Sequence, residues 1–111
     1  MTKTHHAVAF GEEDIDRCLT RYSGDGAPYR VLMHLWTTAQ PATMGDLLVA
    51  LRVHRTRVRR ALRMLIGDGL IVEGDDGGRV TYALAQDASI RSWVSQLLRR
   101  AIHERLIGRG R

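Results

Sequence analysis

Apolar residues along this chain repeat at helical spacing in five stretches and alternate at strand spacing in one. Residues 1–11 show no period and read as a flexible tail. Ile15, Cys18, Leu19 and Tyr22 make the first apolar stripe, preceded by Glu12, Glu13 and Asp14, acids that suit the positive end of a helix dipole. Ser23 to Gly26 interrupts the pattern as a loop. Pro28 fits the first turn of a second helix with Leu32, Leu35, Trp36 and Ala39 in its core stripe, and Gln40-Pro41 stops it. His34 falls beside that stripe and reads as an ordinary interfacial histidine. Thr43 with Asp46 forms a capping pattern for a short helix that buries Leu47, Leu48 and Leu51. Arg52, Val53 and His54 alone separate it from a fourth helix, whose stripe is Val58, Ala61, Leu62 and Leu65 and whose end is marked by Gly67-Asp68-Gly69. Leu70 to Glu73 and Arg79 to Leu84 are β-prone runs around the turn Gly74-Asp75-Asp76-Gly77-Gly78. Val80, Tyr82 and Leu84 alternate with Thr81 and Ala83, so one face of the second strand can lie on the helices. A last helix runs from Asp87 or Ser89 to about Leu106.

These elements predict a mainly α fold with a small antiparallel β-hairpin, an α+β class, as one domain over residues 12–111. Two helices joined by a three-residue turn must cross sharply, which defines a helix-turn-helix over 44–66. The hairpin spans 70–84 and the terminal helix 87–107. That terminal stripe, Ile90, Trp93, Val94, Leu97, Leu98, Ala101 and Ile102, is longer than a domain of this size needs for its own core. It is expected to pack against a twin through Ile90, Trp93, Leu97 and Ala101, with the N-terminal helix as a further dimer surface.

Charge changes the picture at one place. The 111 residues carry a formal net charge of +5, and sixteen of the seventeen basic residues are arginine. Six of those arginines lie between Arg52 and Leu65, a stretch with no acid. Wound as a helix from Val58, it places Thr56, Arg59, Arg60 and Arg63 opposite the apolar stripe, with Arg55 and Arg57 on the flanks. Arg55/Arg59 and Arg59/Arg63 stand at i, i+4, where like charges repel by about 0.2–0.5 kcal/mol a pair. A solvated face normally mixes signs, so this one is read as a surface for an external polyanion, and arginine's planar fork matches phosphate or a guanine edge. A membrane surface fits less well, because the basic helix has no aromatic residue.

Other chemistry is sparse. Cys18 is the single cysteine, which rules out an intramolecular disulfide and suits a reducing cytoplasm. No signal peptide or membrane span is evident, and the expected location is the cytoplasm, at the nucleoid. No nucleophile with a base, no paired carboxylates in an apolar setting and no phosphate-binding glycine loop suggests an enzyme. His103 with Glu104 falls short of a metal site, and no metal or cofactor is expected.

The stretch Met44 to Leu84 resembles the winged helix-turn-helix core of the ArsR and MarR groups of repressors. The residues that carry the resemblance are Asp46 to Leu51 for the positioning helix, Thr56 to Leu65 within a recognition helix at 55–66, Asp68-Gly69-Leu70-Ile71 at its exit and Gly78 to Leu84 for the returning wing strand. The resemblance implies a homodimeric transcription regulator on double-stranded DNA, with the recognition helix in the major groove. It implies that His54, Arg55, Thr56, Arg59 and Arg60 face the groove, that Arg57 and Arg63 reach phosphates, and that Arg79 approaches the flanking backbone or minor groove. Two departures stand out. His54 takes the place of a helix-capping serine, and Asp75 and Asp76 put at the wing tip charges that phosphates repel. A sequence-independent architectural DNA-binding protein and a winged-helix module for an acidic protein partner are the competing functions.

Overall fold

In the computed structural model, residues 12–22 and 26–103 are described. The expected tail at 1–11 and the end of the terminal helix beyond residue 103 lie outside them. The order is α1 (Glu12–Tyr22), α2 (Ala27–Thr38), α3 (Met44–Leu51), α4 (Arg55–Gly67), β1 (Ile71–Asp76), β2 (Arg79–Leu84) and α5 (Ala88–His103).

Helix α2 is the hub, in contact with α1, α3, α4, α5 and β2. Ala27, Pro28, Tyr29, Val31, Leu32 and Leu35 are buried along it, so its apolar surface is wider than one stripe. Ala39 departs from its expected core place. It is exposed at the helix C-cap with a left-handed φ of 57°, and its N–H donates to the Leu35 carbonyl. Helix α2 therefore ends one residue before Ala39 could turn inward. Trp36 is half-buried, with the Arg91 guanidinium 5.4 Å over its ring.

Both ends of α3 are fixed. Thr43 and Asp46 close the expected capping box, the Asp46 N–H donating to Thr43 Oγ1 at 3.1 Å and the Thr43 N–H to Asp46 Oδ2 at 3.0 Å. At the other end Arg30 Nη2 donates to the Leu51 carbonyl at 2.5 Å, a cation at the negative end of the helix dipole. Leu47 and Leu51 are buried, whereas Leu48 is half-buried. The turn into α4 begins at Arg52 with φ 54°, a conformation that costs a residue with a Cβ about 1–2 kcal/mol.

The hairpin is longer than expected. Register Asp76↔Arg79 leaves only Gly77-Gly78 as the turn, with φ of 62° and 91°. Positive φ at both central positions gives the turn that matches strand twist, so Gly74, Asp75 and Asp76 continue β1. The alternating face is buried only at its base: Leu84 is 5% exposed, Tyr82 is half-buried and Val80 is 48% exposed. The wing thus runs out past the helices. Ala42 forms a two-bond antiparallel bridge with Tyr82 and ties the entry of α3 to the wing.

Helix α5 corrects the expected dimer surface. Ile90, Trp93, Leu97 and Ala101, with Val94 and Leu98, are buried in the core of their own chain, against α1 and α2. A core that takes in α1 needs a long terminal helix, so the stripe is not a surplus. Only Ile102 of that set stays half exposed, at 50%. Asp87 caps α5, its Oδ1 accepting from the Ser89 and Ile90 amides.

Candidate nucleic-acid interface

Helix α4 divides by solvent. Val58, Ala61, Leu62 and Leu65 are buried against the core, and Arg55, Thr56, Arg57, Arg59, Arg60 and Arg63 are all exposed. Among the described residues, Arg55, Arg59, Arg60 and Arg63 make no ion pair and no side-chain hydrogen bond. Four guanidinium groups on three turns of helix are left to water, a state that an incoming polyanion can relieve.

The arginines form two rows. Arg55, Arg59 and Arg63, spaced i, i+4, i+8, line one wall of a cleft of about 490 Å³. Met44, Leu62, Ile66 and Tyr82 supply its apolar lining, and Glu73 of β1 is the only acid among the described residues that line it. Thr56 and Arg60 point away from the cleft, directly outward, and Arg57 lies on the far flank. Arg79 is not part of the cleft. It stands exposed beside the turn at the tip of the wing, level with Asp76. The structure therefore brings His54, Arg55, Thr56, Arg57, Arg59, Arg60 and Arg63 onto one exposed helix and its entry, and sets Arg79 apart from them.

His54 performs the capping role that its departure from serine had put in question. Its Nδ1 accepts the Thr56 N–H at 3.1 Å, satisfying one of the unpaired amides at the start of α4. The ring is exposed, so capping and an outward contact are compatible.

The other end of α4 is held in a way that sequence reasoning missed. Asp68, a carboxylate at the negative end of a helix dipole, accepts from Arg21 Nη1 at 2.7 Å and from the hydroxyl of Tyr22. Tyr22 is fully buried, stands edge-on to Tyr29, and has its phenol pushed far up, first by burial and then by the bond to Asp68. Burial likewise pushes the Cys18 thiol up, with Asp68 adding to the shift. Two residues of α1 thereby fix where α4 ends. Asp68 read as a turn former in sequence, and nothing local pairs it with residues 46 and 47 positions earlier. Arg30 at the end of α3 carried no signal either.

Among the described residues no group of three or more His, Cys, Asp or Glu side chains gathers as metal ligands do, and no helix is long and apolar enough to cross a membrane.

Two helices joined by a three-residue turn and followed by a hairpin, with further helices before and after, define a winged helix-turn-helix. The chain matches no protein-family profile and no curated protein sequence. Solved structures do match, among them transcriptional regulators of Thermotoga maritima and Sulfolobus solfataricus. BpsR of Bordetella bronchiseptica, whose DNA binding is regulated by 6-hydroxynicotinic acid, superimposes with a TM-score of 0.61 at 18% identity over 86% of this chain and 70% of its own. A mutant of Escherichia coli MarR in complex with operator DNA gives a TM-score of 0.55 at 24% identity, over 85% and 72%. A mutant of Lactococcus lactis ZitR gives 0.54 at 21% identity over 71% of this chain, which spans only 51% of the ZitR chain. The likeness at these identities is one of fold.

Proposed function

We propose that this chain is a sequence-specific DNA-binding transcription regulator, a repressor in the simplest case, that acts as a homodimer in the cytoplasm and not as an enzyme. One observation carries the reading: an exposed arginine row and its outward neighbours on α4 have no acid partner among the described residues, on a helix fixed at both ends. In this reading α4 enters a major groove about 12 Å wide, with His54, Arg55, Thr56, Arg59 and Arg60 toward base edges. Arg57 and Arg63 reach phosphates, and Arg79 on the wing reaches the flanking backbone. A second copy places a second α4 one helical turn of DNA away, about 34–36 Å. Since the inner stripe of α5 is occupied, the dimer contact uses the outer faces of α5 and α1, where Ile102 is half exposed. The operator complex of MarR supports DNA as the partner.

The test is a titration of duplex DNA at several salt concentrations. Log affinity should fall linearly with log salt, with a slope of about −0.9 per neutralised phosphate. Binding without that dependence, or none at all, contradicts the proposal.

A further inference from the structure

The exposed polar set of α4 is chemically one-sided. Arg55, Arg59, Arg60 and Arg63 offer N–H donors and no acceptor. His54 joins them: with Nδ1 accepting the Thr56 amide, the neutral ring carries its proton on Nε2, the atom left for an outside contact. Thr56 is the one residue on this face with a side-chain acceptor. No Asn, Gln, Asp, Glu or Ser occurs from His54 to Gly67.

Base edges in the major groove respond differently to such a surface. Guanine presents two adjacent acceptors, N7 and O6, which a guanidinium fork meets with both prongs. Adenine sets an amino donor beside its single acceptor, and cytosine presents an amino donor, so both oppose a donor-only surface. Adenine is ordinarily read by Asn or Gln and cytosine by Asp or Glu, the side chains missing here.

The wing points the same way by a separate route. A-tracts have a narrow minor groove with strengthened negative potential that attracts inserted arginine. This wing ends in exposed Asp75 and Asp76 around Gly77-Gly78, with Arg79 paired across from Asp76, a formal charge of −1 for the three. Such a tip is repelled from an A-tract more than from wider grooves.

We infer that the preferred DNA is a duplex whose half-sites are built on guanines facing Arg59 and Arg60 and are flanked by sequence other than A-tracts. This rests on the DNA-binding reading above and adds the base class that it recognises. The decisive experiment is selection by the full chain from a synthetic random duplex pool, which removes any genomic base bias. The expected result is a two-fold symmetric consensus with guanine enriched in each half-site. Arg60→Ala should then relax one guanine position, with discrimination there falling roughly five- to hundredfold. Arg60→Lys keeps the charge but loses the fork, so it should retain affinity for random DNA while losing that guanine. Both variants are read only with an unchanged melting temperature, and Arg59→Lys serves as the second variant if either fails to fold. A consensus of A and T alone, enriched A-tract flanks, or a guanine position unmoved by Arg59→Lys and Arg60→Lys alike overturns the inference and leaves DNA binding standing. Equal enrichment of every sequence with salt-sensitive binding does the same. Absence of salt-sensitive binding to any duplex overturns the underlying reading as well.

Discussion

On the α1–α5 side of the molecule three arginines are tied to acids, and among the described residues four arginines of α4 are not. Arg17 meets Asp14 at 2.7 Å, Arg100 meets Asp16 at 2.8 Å and Arg21 meets Asp68 at 2.7 Å. Arg55, Arg59, Arg60 and Arg63 meet none among the described residues, although Glu73 lies across the same cleft. One residue type in one chain thus serves two purposes, and the local supply of carboxylates decides which. Exposed pairs of the first kind contribute little to stability, about 0.2–1 kcal/mol each, but each sets a carboxylate beside a cation that a polyanion would otherwise meet. The difference teaches that net charge alone says little about where a partner binds. The distribution of unpaired charge says much more.

The sharpest way to break the comparison is to remove the unpaired row. Substituting Arg55, Arg59 and Arg63 together by Ala should cost DNA affinity roughly 1–3 kcal/mol for each that touches DNA and flatten the salt slope by about one per phosphate contact, while stability holds. Fluorescence anisotropy titration and a thermal melt read both quantities. Next in size is Asp68→Ala, which strands the buried Tyr22 hydroxyl and should lower unfolding free energy by about 1–3 kcal/mol, seen as a reduced denaturant midpoint. Arg17→Ala on the paired side should stay within about 1 kcal/mol in stability and leave DNA binding unchanged. Equal loss of DNA binding from Arg17→Ala would erase the distinction between the two sides.

The smallest effects are those of pH, and their signs follow from the caps. The Thr43 amide and then its hydroxyl hold the Asp46 carboxyl below its usual range, and the Ser89 hydroxyl and amide do so for Asp87. A folded-state value below the unfolded one, about 4, means that the stabilisation is present above that pH and is lost as pH falls through the folded values. The Tyr22 phenol works in reverse. Raised by burial and then by Asp68, it stabilises fully below about pH 10 and loses that contribution as the pH climbs further. Melting temperature against pH should therefore sag at both ends, with Tyr22→Phe flattening the alkaline limb.

Much of this architecture could be read from residue spacing, because the fold is made of short-range signals. The Thr43–Asp46 box, the Val58-Ala61-Leu62-Leu65 stripe and the Gly-rich hairpin each depend on residues within a few positions. The arginine face was legible for the same reason, as a run without acids. What spacing could not reveal is whatever depends on distant neighbours. Whether the stripe of α5 is surplus or core depends on α1 and α2, and it proved to be core. The hold of Arg21 and Tyr22 on Asp68, Arg30 at the end of α3 and the Ala42–Tyr82 bridge are all long-range. Backbone conformation accounts for the remaining misses. Ala39 leaves the core because α2 closes there in a left-handed cap, and Gly74 stays in the strand because Gly77-Gly78 suffices for the turn.

The central claim is that the unpaired arginines of α4, and not the paired ones of α1 and α5, contact polyanion. The most direct measurement is the salt slope of duplex DNA binding for the parent chain, for Arg55/Arg59/Arg63→Ala and for Arg17/Arg100→Ala. The account predicts a steep slope for the parent, a slope shallower by roughly one per lost phosphate contact for the first variant, and no change for the second. A slope that follows only the count of removed charges, whichever side they come from, contradicts it.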